Sequence, residues 1–144
     1  MVSGKTKLIA SYLTSVFSED YQIDYSEHNV NLNDDGEQIT LVIWDTDGAC
    51  YYETLRPMSY LGTDVFLCCF SVVSRSSFDY CRTKLGPELK QHSPDVPAIL
   101  IGLKKDLRTD PKTLAELEKK GEHPITPEEG EELCRELEYV KYME

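Results

Sequence analysis

The stretch of residues 39–60 reads ITLVIWDTDGACYYETLRPMSY and combines a run of apolar residues with a polar turn. Its first six residues, 39–44, are nearly all β-branched, aromatic or leucine, which predicts a strand, and the lack of polar alternation predicts burial on both faces. Asp45 and Gly48 follow at the strand's carboxyl end, where open α/β sheets bind ligands. Asp45 could hold a cation through water, and Gly48 lets backbone approach a ligand closely. On this stretch alone an ordinary turn is favoured, because Asp and Gly are common turn residues.

The composition fits one domain of 144 residues with a net charge of −11. That charge argues against nucleic acid or an anionic membrane as a broad partner, but it leaves room for a local phosphate site. Five cysteines without C-x-x-C spacing predict free buried thiols in a reducing compartment. Because we find no signal peptide, membrane span, prenylation box or polybasic tail, we expect a cytoplasmic protein without a membrane anchor in this chain, peripheral to a membrane only in a full-length form.

Apolar periodicity predicts strands that alternate with helices, and therefore a mostly parallel sheet with helices on both faces. Predicted strands cover residues 39–44, 64–73, 97–102 and 139–143, and a turn at 33–36 predicts a hairpin into the first of them. Residues 18–30 are predicted to form a loop. Predicted helices cover residues 5–17, residues 74–92 with an interruption at Gly86–Pro87, a segment capped by Asp110, and a segment opened by a capping box of Thr126 and Glu129.

Three polar clusters fall at one predicted edge of this sheet: Gly4-Lys5-Thr6 at a helix start, Asp45-x-x-Gly48 after a strand, and Lys104-x-Asp106 after another strand. Lys5 would reach terminal phosphates, and the Thr6 hydroxyl would ligate a Mg²⁺ ion that Asp45 holds through water. The Gly48 N–H would face a terminal phosphate. Asp106 would accept two hydrogen bonds from a guanine edge. Each cluster alone is a weak signal, but their order is fairly specific.

The chain resembles a small GTPase of the Ras superfamily, and specifically of the Rho family. The resemblance covers nearly the whole chain except residues 18–34, and the segment 109–123 resembles the Rho insert helix. The stretches that carry it are WDTDG (44–48), YYETLRPMSY (51–60), TDVFLCCFSVVSRSSF (63–78), PAILIGLKKDLR (97–108), HPIT (123–126) and VKYME (140–144).

This resemblance implies a P-loop NTPase-like fold and a guanine-nucleotide switch in signal transduction, with GTP or GDP and Mg²⁺ as cofactors. The implied metal ligands are Thr6 and Asp45. The implied nucleotide contacts are Gly4, Lys5, Thr6, Asp45, Thr46, Gly48, Ala49, Lys104, Asp106 and Leu107. Effectors and exchange or activating proteins of the Rho type are the implied partners, on a surface that includes Tyr21, Tyr51, Tyr52, Leu55, Arg56 and Tyr60.

The chain departs from the family in ways that bear on mechanism. The family's water-positioning glutamine is Ala49, so we assign no catalytic residue and expect slow hydrolysis. Asp47 adds a carboxylate whose repulsion of the γ-phosphate at roughly 4 Å is on the order of 4 kcal/mol. No threonine lies between Thr14 and Thr40 to ligate Mg²⁺, and Leu103 replaces the usual Thr or Asn of the guanine motif.

The sequence also lacks the family's first, central strand, an earlier glycine of the phosphate loop, the base loop and the last helix. We therefore expect an incomplete sheet with unpaired edges. Three interpretations stay open: a Rho-like guanine-nucleotide-binding protein with weak or absent hydrolysis, a nucleotide-free pseudo-GTPase that serves as an interaction module, and an incomplete product of a longer gene.

Overall fold

The computed structural model describes residues 3–17, 27–46 and 55–144. The chain divides into two compact units: Lys5–Tyr52, and Met1–Gly4 together with Glu53–Glu144. We refer to them as the smaller and the larger unit.

The smaller unit contains helix α1 (Lys5–Thr14) and an antiparallel hairpin of β1 (Glu27–Asp34) and β2 (Glu37–Trp44). A two-residue loop, Asp35–Gly36, joins the strands, with φ of 48° and 90°. Two positive φ values are typical of the tight hairpin turns that favour Asp-Gly. The Asn33 side chain accepts a hydrogen bond from the Gly36 N–H at 3.0 Å. The predicted hairpin is therefore confirmed.

Strand β2 is not buried on both faces, so that prediction is wrong. It pairs with β1 rather than within a parallel sheet, and Trp44 remains 61% exposed. The partner strand β1 is polar and begins at Glu27, inside the segment predicted as a loop. A two-stranded sheet buries little apolar surface by itself. Helix α1 likewise buries little apolar surface. Ala10 is its buried residue, and Leu8, Tyr12 and Leu13 of its apolar face are exposed.

The larger unit holds a parallel sheet in the order β3 (Phe66–Ser71), β4 (Ala98–Leu103), β5 (Lys141–Met143). Helical segments flank it: a 3₁₀ helix Arg56–Tyr60, α2 (Arg75–Tyr80), a π-helical turn Cys81–Leu85, α3 (Gly86–His92), a 3₁₀ helix Lys105–Thr109, α4 (Pro111–Lys119) and α5 (Pro127–Glu136). The core includes Phe70, Phe78, Leu100, Ile125 and Leu133. The α/β fold with a parallel sheet is thus confirmed.

The helical stretch before β4 continues through Gly86–Pro87, where an interruption was predicted. A π-helical turn, in which the Gly86 N–H bonds to the Cys81 carbonyl, leads directly into α3. In a regular α-helix the Pro87 ring would clash with the carbonyl four residues earlier, and the wider turn relieves that clash. Gly86 also allows close packing, since a Cβ there would lie 2.6 Å from Leu137 Cδ2.

Both predicted caps in the second half of the chain are present. The Asp110 carboxylate accepts a hydrogen bond from the Thr113 N–H at 2.9 Å at the start of α4. At the start of α5, Thr126 and Glu129 exchange the two hydrogen bonds of a capping box. The described cysteines, Cys68, Cys69, Cys81 and Cys134, carry thiols rather than disulfides, as predicted, and all but the half-buried Cys69 are buried. None of the helices in the described ranges has the length and apolar composition needed to cross a bilayer.

Candidate functional site

In the smaller unit, the structure joins the first turn of α1 to the end of β2. The Thr6 hydroxyl donates a hydrogen bond to Asp45 Oδ2 at 2.5 Å. The other carboxylate oxygen, Asp45 Oδ1, is buried and accepts no hydrogen bond from the described residues. Two residues that are 39 positions apart in sequence therefore present their side-chain oxygens to one point.

Lys5 and Thr6 open helix α1, and this position has electrostatic consequences. The first N–H groups of a helix have no partner within the helix, and the macrodipole makes that end positive. Such an end attracts an anion such as phosphate. The preceding Gly4 has a φ of 104°, which residues with a Cβ rarely adopt, so the entry into α1 depends on glycine.

The oxygens of Thr6 and Asp45 fit a Mg²⁺ ion. Mg²⁺ takes oxygen ligands, keeps several waters, and usually binds one or two carboxylates together with substrate phosphates. A buried carboxylate oxygen without a hydrogen bond is costly, and a cation or its water shell would satisfy Asp45 Oδ1. Within residues 3–17, 27–46 and 55–144 no group of three His, Cys, Asp or Glu side chains could hold a metal by itself. A two-residue site of this kind would therefore need further oxygens from a bound ligand.

In the larger unit, the residues after β4 form a sharp turn into a short 3₁₀ helix. Lys104 adopts a left-handed conformation with φ of 62°, and its carbonyl accepts a hydrogen bond from the Leu107 N–H at 3.0 Å. A Cβ on Gly4 would lie 3.8 Å from Lys104 Cε, so the lysine side chain runs alongside the backbone at Gly4. Asp106 is exposed in the first turn of the 3₁₀ helix, and Leu107 is half-buried. The Asp106 carboxylate is thus accessible to donors from a ligand.

Arg108, two residues after Asp106, is held by a network that sequence reasoning missed. Its guanidinium donates to the Ile125 carbonyl at 2.9 and 3.1 Å and to both carboxylate oxygens of Glu144 at 2.5 and 2.7 Å. The hydrogen bonds between Arg108 and Glu144 raise the pKa of Arg108 and lower the pKa of Glu144. No local pattern predicts this pair, because the two residues lie 36 positions apart.

The described residues of the expected partner surface differ in their exposure to solvent. Leu55 is 58% exposed, whereas Arg56 and Tyr60 are buried. Arg56 donates to the two Glu88 carboxylate oxygens at 2.8 and 2.6 Å and to the Tyr80 hydroxyl at 3.0 Å, and Tyr60 donates to Glu88. These two residues therefore face helix α3 rather than solvent, which differs from the surface position expected of them.

Glu88 is ionised at neutral pH in this buried cluster. Burial by itself would raise its pKa, but the hydrogen bonds from Arg56 and Tyr60 outweigh burial and the pKa is lowered. Burial, followed by the hydrogen bond to Glu88, raises the pKa of the Tyr60 hydroxyl. The cluster is therefore an ion pair with a neutral tyrosine.

The remaining predicted site residues are either half-buried in the smaller unit or outside the described ranges. Lys5 and Thr46 are half-buried in the smaller unit. The predicted contacts Tyr21, Gly48, Ala49, Tyr51 and Tyr52 lie outside the described residues.

Comparison with known protein families gives a match over the full sequence. A family model described as the Ras family matches residues 1–144. The match includes all three polar clusters and both units.

Proposed function

Since the chain belongs to the Ras family of small GTP-binding proteins, we propose that it is a Rho-like guanine-nucleotide switch that binds GTP or GDP with Mg²⁺ and hydrolyses GTP slowly. The observation that carries the nucleotide site is the hydrogen bond between Thr6 and Asp45, which pairs a helix-start hydroxyl with a strand-end carboxylate. Ras-family proteins generally bind guanine nucleotides with Mg²⁺, and the paired oxygens of Thr6 and Asp45 support such a site in this chain.

Each of the proposed nucleotide contacts would have a separate task. The first N–H groups of α1 and the Lys5 ammonium would bind terminal phosphates. Thr6 and Asp45 would hold the Mg²⁺, which neutralises charge on those phosphates. Asp106 would accept hydrogen bonds from the guanine base, and its exposure leaves it free to do so.

The Rho assignment and the slow hydrolysis rest on the sequence. The stretch Leu55-Arg56-Pro57-Met58-Ser59-Tyr60 and the charged helix α4 within residues 109–123 support a Rho-like protein. Ala49 takes the place of the glutamine that orients the attacking water, and a methyl group cannot do that. Partners of the Rho type would be effectors and exchange or activating proteins, and the protein would act in the cytoplasm.

Titration with a fluorescent GDP analogue tests the proposal. We expect saturable binding that tightens with Mg²⁺, because Thr6 and Asp45 would hold the ion and its charge would offset that of the phosphates. Thr6→Ala should weaken the Mg²⁺ dependence by removing one ligand. Thr113→Ala is a matched control, because Thr113 also donates to an aspartate, Asp110 Oδ2 at 2.7 Å, at a helix start. Absence of saturable binding at high micromolar concentration would overturn the proposal.

A nucleotide-free interaction module is the second candidate. Apolar side chains of the larger unit are exposed near the 3₁₀ helix Arg56–Tyr60, with Met58 at 76% and Leu61 at 95%. Exposed apolar groups of this kind favour a protein-binding surface. This candidate predicts that GDP, GTP and Mg²⁺ leave the melting temperature unchanged. A nucleotide present at 100 times its Kd would instead stabilise the fold by about 2.7 kcal/mol.

A further inference from the structure

Arg108 links three segments of the larger unit that lie far apart in sequence. It belongs to the 3₁₀ helix Lys105–Thr109, it binds the Ile125 carbonyl before α5, and it binds Glu144 after β5. We call Arg108, Ile125, Tyr142 and Glu144 the Arg108 clamp. Ile125 is itself fixed, because its N–H donates to the Val72 carbonyl at 2.7 Å, directly after β3. The clamp therefore ties the 3₁₀ helix to the frame of the parallel sheet.

The ion pair in the clamp is well shielded from solvent. The Glu144 side chain is 8% exposed and the Arg108 side chain 20% exposed. Both carboxylate oxygens accept hydrogen bonds from the planar guanidinium, and such a two-point contact fixes orientation as well as distance. An exposed pair with one hydrogen bond would constrain only the distance between the two side chains. The two hydrogen bonds here also constrain the orientation of the 3₁₀ helix that carries Arg108.

Tyr142 orients Glu144 in turn. Its hydroxyl donates to Glu144 Oε1 at 2.5 Å, and its ring stacks on Phe70 with centroids 6.2 Å apart. The ring occupies a slot that two glycines make possible: a Cβ at Gly130 would lie 2.2 Å from Tyr142 Cζ, and one at Gly102 would lie 2.8 Å from the Tyr142 hydroxyl. The carboxylate of Glu144 is thus held in place by tightly packed groups.

The segment that the clamp holds is a short 3₁₀ helix. The 3₁₀ helix spans five residues, and its backbone bonds join Leu107 to Lys104 and Asp110 to Leu107. A helix this short does not set its own direction. Asp106 is exposed, and Lys105 approaches Glu144 at 3.9 Å with a side chain that is 65% exposed. Of the side chains in this helix, Arg108 makes the strongest contacts to the frame.

We propose that the Arg108 clamp positions Asp106 for the guanine base and thereby sets discrimination between guanine and bases with fewer donors. The proposal rests on the proposed function, because the base contact of Asp106 is part of that function. Arg108 and Glu144 are positioning residues that never touch the nucleotide. A carboxylate discriminates between bases when both of its hydrogen bonds are aligned, and a tilt of the 3₁₀ helix would lose one of them.

The test compares the affinities of the protein for GDP and for inosine diphosphate, which lacks the 2-amino donor. In the wild-type chain the Kd for inosine diphosphate divided by the Kd for GDP measures the contribution of the second hydrogen bond to Asp106. We expect Arg108→Lys, which keeps the charge but loses the planar fork, and Glu144→Gln to lower this ratio about tenfold. Arg82→Lys is the control, since Arg82 forms an exposed pair with Glu136 at 3.0 Å on other helices of the same unit. It should leave the ratio unchanged.

A second measurement separates positioning from general loss of stability. Hydrogen exchange of the nucleotide-free protein should show reduced protection of the Leu107 and Asp110 amides in Arg108→Lys and Glu144→Gln, with protection of the β4 amides retained. Wild-type discrimination that survives in both variants would overturn the clamp proposal while leaving the proposed function intact. Absence of guanine-nucleotide binding in the wild-type chain would defeat the proposed function, and the clamp proposal with it. An Asp106→Asn variant with unchanged ratio would remove Asp106 from base recognition and also overturn the clamp proposal.

Discussion

The buried pair of Arg56 and Glu88 gives the sharpest stability prediction. In Glu88→Gln the Arg56 guanidinium, whose side chain is 6% exposed, loses its counter-ion and keeps its charge. Removal of one partner of a buried ion pair typically costs about 3–5 kcal/mol, because the remaining charge is left uncompensated. That cost is a large part of the roughly 5–15 kcal/mol that keeps a domain folded. Urea unfolding should therefore show a much lower midpoint.

The control for this prediction uses an ion pair whose lysine lies on the same helix as Glu88. Lys90 of α3 forms a pair with Glu138 in which both side chains are about three-quarters exposed, 75% and 74%. Exposed pairs contribute little, so Glu138→Gln should leave the urea midpoint unchanged. The double variant Arg56→Met, Glu88→Met should recover much of the loss, because apolar side chains can replace a buried pair without an unpaired charge. If Glu88→Gln unfolds at the same urea concentration as Glu138→Gln, the reasoning from burial is refuted.

Two further predictions concern a cap and acid stability. Thr126→Ala removes the side-chain acceptor of the Glu129 N–H at the start of α5. It should lower the free energy of unfolding, measured in urea, by about 1 kcal/mol. Thr83→Ala in the exposed π-helical turn serves as the control. The folded-state pKa of Glu88 lies below its ordinary value of 4.5, so its contribution is fully present above that pH and is lost as the pH falls through the depressed value. The acid-induced loss of stability below pH 4.5 should therefore be smaller in Glu88→Gln than in the wild-type chain, and equal slopes would contradict this assignment.

Features that depend on neighbouring residues could be predicted from the sequence. The Asp35–Gly36 hairpin turn, the Asp110 cap and the capping box of Thr126 and Glu129 each form within four residues. Their chemistry is local, because a side chain near its own backbone has few alternatives. The alternation of apolar strands with helices likewise predicted the parallel sheet of the larger unit.

Features that depend on distant partners could not be predicted. Arg56 and Glu88 are 32 positions apart, and Arg108 and Glu144 are 36 apart. In a chain with 28% charged residues, many such pairs are conceivable and no spacing rule selects among them. The predicted burial of β2 was wrong for a related reason. An apolar run indicates a strand, but it does not show what covers the faces of that strand.

The Thr6 and Asp45 contact bears on the proposed division of labour between nucleotide binding and GTP hydrolysis. The proposed metal ligands are side chains of the described residues, whereas the position that would orient the attacking water is Ala49. In the proposed site, nucleotide binding and hydrolysis would depend on different residues, and loss of one would leave the other possible. We therefore expect a protein that holds GTP and is switched by nucleotide exchange or by its partners rather than by its own hydrolysis. If Mg²⁺ had no effect on nucleotide affinity, the Thr6 hydroxyl would serve only as a link between α1 and β2, and Thr6→Ala would change stability alone.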